Sequence, residues 1–184
     1  MSSDSRHLWV LRHAKAEAAL PGESDHPRKL TDRGKRQARK VRSEGVGLAT
    51  AAGAPLPGIV LTSSAARARE TAELVLPALG GAELEEEPSL YGADPDDVIE
   101  LVRNRDDDSD SVMVVGHNPT LEDLVFMLVG GMRDESDSAG ARPFEGLRTG
   151  DLAVVLVDIA SWSRLHIGTD AHIECAYSPH GHPK

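Results

Sequence analysis

A single cysteine, Cys175, stands in a chain of 184 residues. No internal disulfide can form from it, and no thiolate cluster can hold a metal; such usage suits a reducing compartment. Aromatic residues make up only 3% of the chain, so the core must rest on Leu, Val, Ile and Ala. Long apolar runs are missing too. The first of any note, Leu8-Trp9-Val10-Leu11, meets Arg12 at once, far short of a bilayer span. The start, Met1-Ser2-Ser3-Asp4-Ser5-Arg6-His7, lacks the basic residues and apolar stretch of a signal peptide. These absences predict a soluble, cytoplasmic protein without a membrane partner. Positive charge is also scarce, with a formal net charge of -10 and a pI near 5.2. A nucleic-acid backbone is repelled by that balance and is excluded as a partner. The acidic residues cluster at 83–87, 94–97 and 106–110, where they read as solvated loops and helix starts. An anion-binding protein of this composition must gather its arginines locally.

What is present is an alternation of short β-rich runs with helical stretches. Strands are predicted at 7–12, 58–62, 82–87, 112–115, 152–157 and 164–167. Helices are predicted from Leu30-Thr31-Asp32-Arg33-Gly34 to about residue 50, from 65 to about 79, over 95–103, and from Pro119 to Gly130-Gly131. Thr31 serves as N-cap of the first, and Ser63 or Ser64 of the second. Residues 131–148 read as a polar, Gly-rich surface loop and the tail from Ser178 as disordered. The pattern implies one α/β domain over 1–184 with its core at about 7–168. Its expected architecture is a three-layer sandwich, a mostly parallel central sheet with helices on both faces.

Ligands of open parallel sheets bind beyond the carboxyl ends of the strands. Three motifs sit there: Arg12-His13 after the first strand, Ser63-Ser64-Ala65-Ala66-Arg67 after the second, and Gly116-His117-Asn118 after the fourth. Each alone is unremarkable, since a His after a strand is usually a polar loop residue and an Arg at a helix start usually reaches a carboxylate. Their recurrence after three strands brings two histidines and two arginines to one sheet edge, where helix N-termini add N–H donors. The expected product is an anion pocket.

At Leu11-Arg12-His13-Ala14-Lys15-Ala16 the chain resembles the histidine phosphatase superfamily, whose signature is an Arg-His-Gly/Ala triplet ending the first strand. Leu30-Thr31-Asp32-Arg33-Gly34 is similar to that family's first-helix segment. The run from Ser63 to Ala72 is similar to its second arginine motif, and Val115-Gly116-His117-Asn118-Pro119 to its second histidine motif. The order and spacing agree over residues 8–157, and the absence of a large inserted cap resembles the SixA-type phosphohistidine phosphatase branch. The resemblance implies a phosphoglycerate mutase-like fold and a phosphohydrolase that works through a phosphohistidine intermediate. It makes His13 the nucleophile, with Arg12, Arg67 and His117 binding the phosphoryl group. It implies no metal and no other cofactor, and a phosphorylated partner, either a phosphohistidine protein or a small phosphate compound.

The chemistry needs a neutral His13, which positive neighbours favour by lowering its pKa from about 6.5. One ring nitrogen must face phosphorus while a backbone acceptor holds the other. Arg12 and Arg67 offer planar forks for oxygens, and a protonated His117 adds a donor. Arg69 falls on another side of its helix and reads as a surface residue. The candidate general acid is Asp94, whose alternative is a helix cap before Pro95. A missing acid favours phosphoramidate or activated phosphate substrates over alkyl phosphates. Lys15, the loop from Gly22 to Lys29, Arg142 and Arg148 are further pocket-edge candidates, with solvated charge the alternative for each. Other readings are a weakly catalytic phospho-ligand binder and a broad small-molecule phosphomonoesterase. A metal hydrolase built on the 8 histidines is disfavoured, because His13 and His117 lack ligand partners at helical spacing.

Overall fold

Alternation along the first strand decides how the layers form. In β1, Arg6–Arg12, Leu8 and Val10 enter one apolar cluster while Trp9 and Leu11 enter another. Successive side chains of a strand point to opposite faces, so β1 is buried on both sides and demands cover on each. The computed structural model describes residues 5–106, 108–130 and 144–181. In it, α2 (Val46–Ala52) and α3 (Ala66–Val75) belong to the Trp9 side, and α1 (Asp32–Lys40) packs against α3. Helices α4 (Pro95–Arg103) and α5 (Thr120–Leu128) cover the Leu8 side. A π-helical turn at Val41–Gly45 joins α1 to α2, giving the single long helical run expected to about residue 50.

The remaining strands are β2 (Ile59–Ser63), β3 (Glu83–Glu87), β4 (Ser111–Gly116), β5 (Leu152–Val157) and β6 (Ala171–Tyr177). They form one sheet in the order β3-β2-β4-β1-β5-β6. The first four pair in parallel, and β5 and β6 run antiparallel at one side. The three-layer, mostly parallel α/β architecture is therefore as expected. Register matters most here: Arg12 lies opposite Gly116 and Thr62 opposite Val115. The chain thus leaves β1, β2 and β4 at one edge of the sheet.

Several expectations are corrected. Residues 164–167 are not a strand. Trp162–Arg164 form a 3-10 turn, and His166 N–H donates to Thr169 Oγ1 at 3.1 Å, with Gly168 at φ 94 closing a reversal. Trp162 and Leu165 are buried anchors of that turn, which a strand pattern mimics. The last strand is β6, an edge strand with one wetter face. Helix α3 takes Ala65 as its N-cap without a side-chain bond, and neither Ser63 nor Ser64 fills that role. Ser178 to Gly181 are ordered: Ser178 Oγ donates to Asp151 Oδ1 at 2.6 Å and Pro179 is buried. Residues 131–143, most of the expected surface loop and including Arg142, and 182–184 lie outside the described residues. Among the described residues no helix is long and apolar enough to cross a membrane.

Candidate active site

The sheet edge is shaped by backbone bonds before any side chain acts. His13 N–H donates to Gly116 O at 3.0 Å, and Gly150 N–H reaches back to the carbonyls of Arg12 and His13. Ala14 N–H donates to Thr71 Oγ1 at 3.1 Å, and that hydroxyl donates to Arg67 O at 2.7 Å. The turn carrying His13 is thereby tied to β4, to α3 and to the start of β5. Gly34 completes the fit, because a Cβ there would stand 2.1 Å from Lys15 O.

His13 Nδ1 lies 2.8 Å from Ala14 O. A carbonyl only accepts, so the proton sits on Nδ1 and the lone pair on Nε2. Arg67, which is buried, donates its Nε–H toward that Nε2 at 3.3 Å. The rings of His13 and His117 are 5.0 Å apart between centroids and tilted by 58°. His117 Nε2 lies 2.9 Å from Ser63 Oγ. Arg12 Nη1 donates to Leu147 O at 2.6 Å, a carbonyl that also accepts from Asn118 Nδ2 at 2.9 Å. Among the described residues, Arg12 Nε and His117 Nδ1 are buried without a hydrogen-bond partner. Buried polar atoms seldom stay unpaired in proteins; an anion seated among these groups would pair them. The four residues expected at the site meet.

Comparison with known proteins shows the family. The model of the histidine phosphatase superfamily (branch 1) matches residues 8–98. An uncharacterized protein of Mycobacterium tuberculosis is 34% identical over 165 residues, 88% of this chain and 95% of that protein. The chain belongs to the histidine phosphatase superfamily. Within it, a structure from Nakamurella multipartita assigned as phosphohistidine phosphatase SixA is 30% identical, with a TM-score of 0.73, covering 95% of this chain and 96% of the other. A like-assigned structure from Agrobacterium tumefaciens is 27% identical with a TM-score of 0.72 over 95% and 98%. The chain is of the SixA type, and its sheet is the phosphoglycerate mutase-like one.

This histidine phosphatase pocket contains residues that its motifs do not name. Asp25, in the loop after β1, collects three donors. Arg67 gives it Nη2 at 2.8 Å, and Nη1 to its carbonyl at 3.0 Å. Tyr91 OH donates to Asp25 Oδ2 at 3.0 Å, and Arg28 Nε to Oδ1 at 2.8 Å. His26 Nε2 lies 2.9 Å from Ser64 Oγ. Of the loop from Gly22 to Lys29, Asp25 and Arg28 are engaged at the pocket, while Glu23 and Lys29 are exposed, as the solvated-charge alternative expects. The signal in the sequence was mixed charge in a loop directly behind His13. Tyr91 carried none.

Other candidates are exposed or have partners of their own. Asp94 is the N-cap of α4: its carboxylate accepts from Asp97 N–H at 3.0 Å, and Asp97 returns the bond in a capping box. The helix-cap alternative describes its contacts. Arg69 is exposed and pairs with Glu73 and Glu86. Lys15 is exposed, and Arg148 pairs with Asp151 at 3.4 Å.

The field of the site follows from burial and charge. Burial is the main cause lowering the His13 pKa to about 4; the Ala14 hydrogen bond opposes it, while Arg67, Arg12 and Arg28 assist. Burial, then His13 and Arg67, lower His117 to about 3. His117 is therefore a neutral ring at neutral pH before an anion binds. An arriving phosphate dianion supplies the opposite charge that favours its protonation. Partial burial pushes Asp25 upward, yet hydrogen bonds from Arg28, Tyr91 and Arg67 outweigh it and leave the pKa at about 2. Asp25 is a fixed anion at neutral pH, and its bond raises the Tyr91 phenol.

Proposed function

We propose that the protein is a metal-independent phosphohydrolase that acts through phosphohistidine at His13, with protein phosphohistidine as its substrate class. The tautomer of His13 carries this reading. With Nδ1–H held by Ala14 O, Nε2 presents a lone pair beside the Arg67 guanidinium. In-line attack forms the Nε2–P bond as the bond to the leaving group breaks, and water then cleaves Nε2–P to release inorganic phosphate. Phosphoryl transfer asks for positioning and neutralisation of oxygens more than covalent chemistry. Arg12 and Arg67 supply planar donors for that charge, His117 adds a third, and Arg28 adds to the positive field at His13. Removing one such donor costs roughly 100- to 1000-fold in rate.

The leaving group selects the substrate. Asp25 is ionised, Tyr91 holds its proton more tightly than a free phenol, and Asp94 caps a helix. Neither Asp25 nor Tyr91 is a good acid at neutral pH, and the Asp94 carboxylate is engaged in its capping box. Phosphohistidine can take a proton on its own ring and leave as neutral imidazole, whereas an alkoxide needs a donor. A panel assay in EDTA tests the proposal, comparing a phosphohistidine peptide with a sugar phosphate. Faster sugar-phosphate turnover defeats the substrate class, and loss of activity in EDTA defeats metal independence. Tight peptide binding without phosphate release assigns a phospho-ligand binder instead. His13→Ala should abolish turnover while circular dichroism stays native.

A further inference from the structure

We infer that Tyr91 is the platform on which the leaving group of the substrate lies, and that it selects planar, aromatic leaving groups. The inference rests on the phosphohydrolase reading for its chemistry but on separate residues for its geometry. Tyr91 is 40% exposed while Arg67, next to it through Asp25, is 5% exposed. A large ring left in water, in a chain with 2 Tyr, 2 Phe and 2 Trp, is not explained by packing alone. It is also held in place. Its hydroxyl is fixed on Asp25, and its ring meets His26 edge-to-face at 4.9 Å and His117 at 5.7 Å. His26 is itself bonded to Ser64.

His26, Tyr91 and His117 therefore form a chain of ring contacts that reaches His13, and Tyr91 is its most exposed member. His13 attacks from the half-buried sheet edge, so the departing atom must lie on the opposite side of phosphorus. On this inference Tyr91, exposed and in ring contact with His117, stands on that side. A rigid ring with a wet face offers stacking or edge contact to an imidazole or aryl group at small entropic cost. A group without a ring gains nothing from it.

The test uses the full chain and three substrates: phosphoramidate, a phosphohistidine peptide and p-nitrophenyl phosphate. The readout is the ratio of kcat/KM for each ring substrate to that for phosphoramidate. Dividing by phosphoramidate removes any effect Tyr91 has on Arg67 through Asp25. Tyr91→Leu should lower this ratio about 3- to 10-fold, the range of an aromatic contact, and Tyr91→Phe should restore it. A ratio unchanged within about twofold in Tyr91→Leu overturns the inference. Binding of phenylphosphonate and methylphosphonate, measured by calorimetry, separates this idea from turnover. Wild type should prefer the phenyl compound, and Tyr91→Leu should lose that preference; no preference in wild type overturns the platform. A protein that turns over none of the substrates yet shows this preference defeats the phosphohydrolase reading and leaves the platform standing.

Discussion

Arg67 aims its Nε–H at His13 Nε2 from 3.3 Å, while Asp25 holds the other two nitrogens of the same guanidinium. The main electrostatic partner of the proposed nucleophile is thus positioned by a residue whose own hydrogen bonds go to Arg67, Arg28 and Tyr91. A planar fork suits this task, because one edge can be anchored while another faces the reacting group. Arg67→Lys keeps the charge but cannot hold Asp25 and the phosphoryl position together. Both Arg67→Lys and Arg67→Ala should lose about 100- to 1000-fold in kcat/KM. A lysine variant within tenfold of wild type would show that charge alone suffices.

Asp25→Asn separates positioning from charge. It releases Arg28, Arg67 and Tyr91 from a shared anion, and a small misplacement of reacting groups can cost as much as about 100-fold in rate. The same change removes a negative charge close to where phosphate binds. Inorganic phosphate should therefore inhibit the variant at lower concentration even as kcat falls. Equal weakening of both quantities would speak for general damage to the loop.

The two pocket histidines make stability depend on pH. Their folded pKa values, about 4 for His13 and about 3 for His117, lie below the ordinary 6.5. The unfolded chain then binds protons first as pH falls, and proton uptake by the unfolded state lowers stability. The contribution is intact above about pH 6.5 and is lost as pH drops through that value toward 4 and 3. Asp25 adds a further loss between 3.8 and about 2. Denaturant titrations at several pH values should show this slope, and the variant His13→Asn should flatten it. An NMR titration of the His13 ring with a midpoint near 6.5 would contradict the account.

Gly34 reports on the scaffold. Its missing Cβ makes room for Lys15 O, which also accepts from Thr31 N–H and Oγ1 at 3.0 Å. Gly34→Ala must push α1 away from the turn behind His13. A cost of about 3 kcal/mol is expected from such overpacking, or a fall in Tm of roughly 6–12 °C for a chain of this size. Differential scanning calorimetry checks it; a variant within about 1 °C of wild type would mean that the helix start yields freely.

Much of this was legible in the residues. Apolar runs of strand length, joined by helical stretches, specify a parallel sheet with covered faces. Arg12-His13, Ser63 to Arg67 and Gly116-His117 then fall at the same edge, because parallel strands share their carboxyl ends. The misreadings are equally physical. Arg164-Leu165-His166-Ile167 alternates like a strand, but its buried leucine anchors a turn. Ser178 to Gly181 lack an apolar pattern, and a hydroxyl on Asp151 with one buried proline is enough to dock them.

Local patterns in the sequence therefore determined the α/β layers and the placement of Arg12, His13, Arg67 and His117 at one sheet edge, since hydrophobic period and strand direction act over neighbouring residues. Tertiary structure alone decided that Asp25 joins Arg67, Arg28 and Tyr91, that His26 meets Ser64, and how far the two imidazoles are depressed. Those outcomes depend on distance and desolvation between residues as much as 66 positions apart, Asp25 and Tyr91, and no local pattern encodes either quantity.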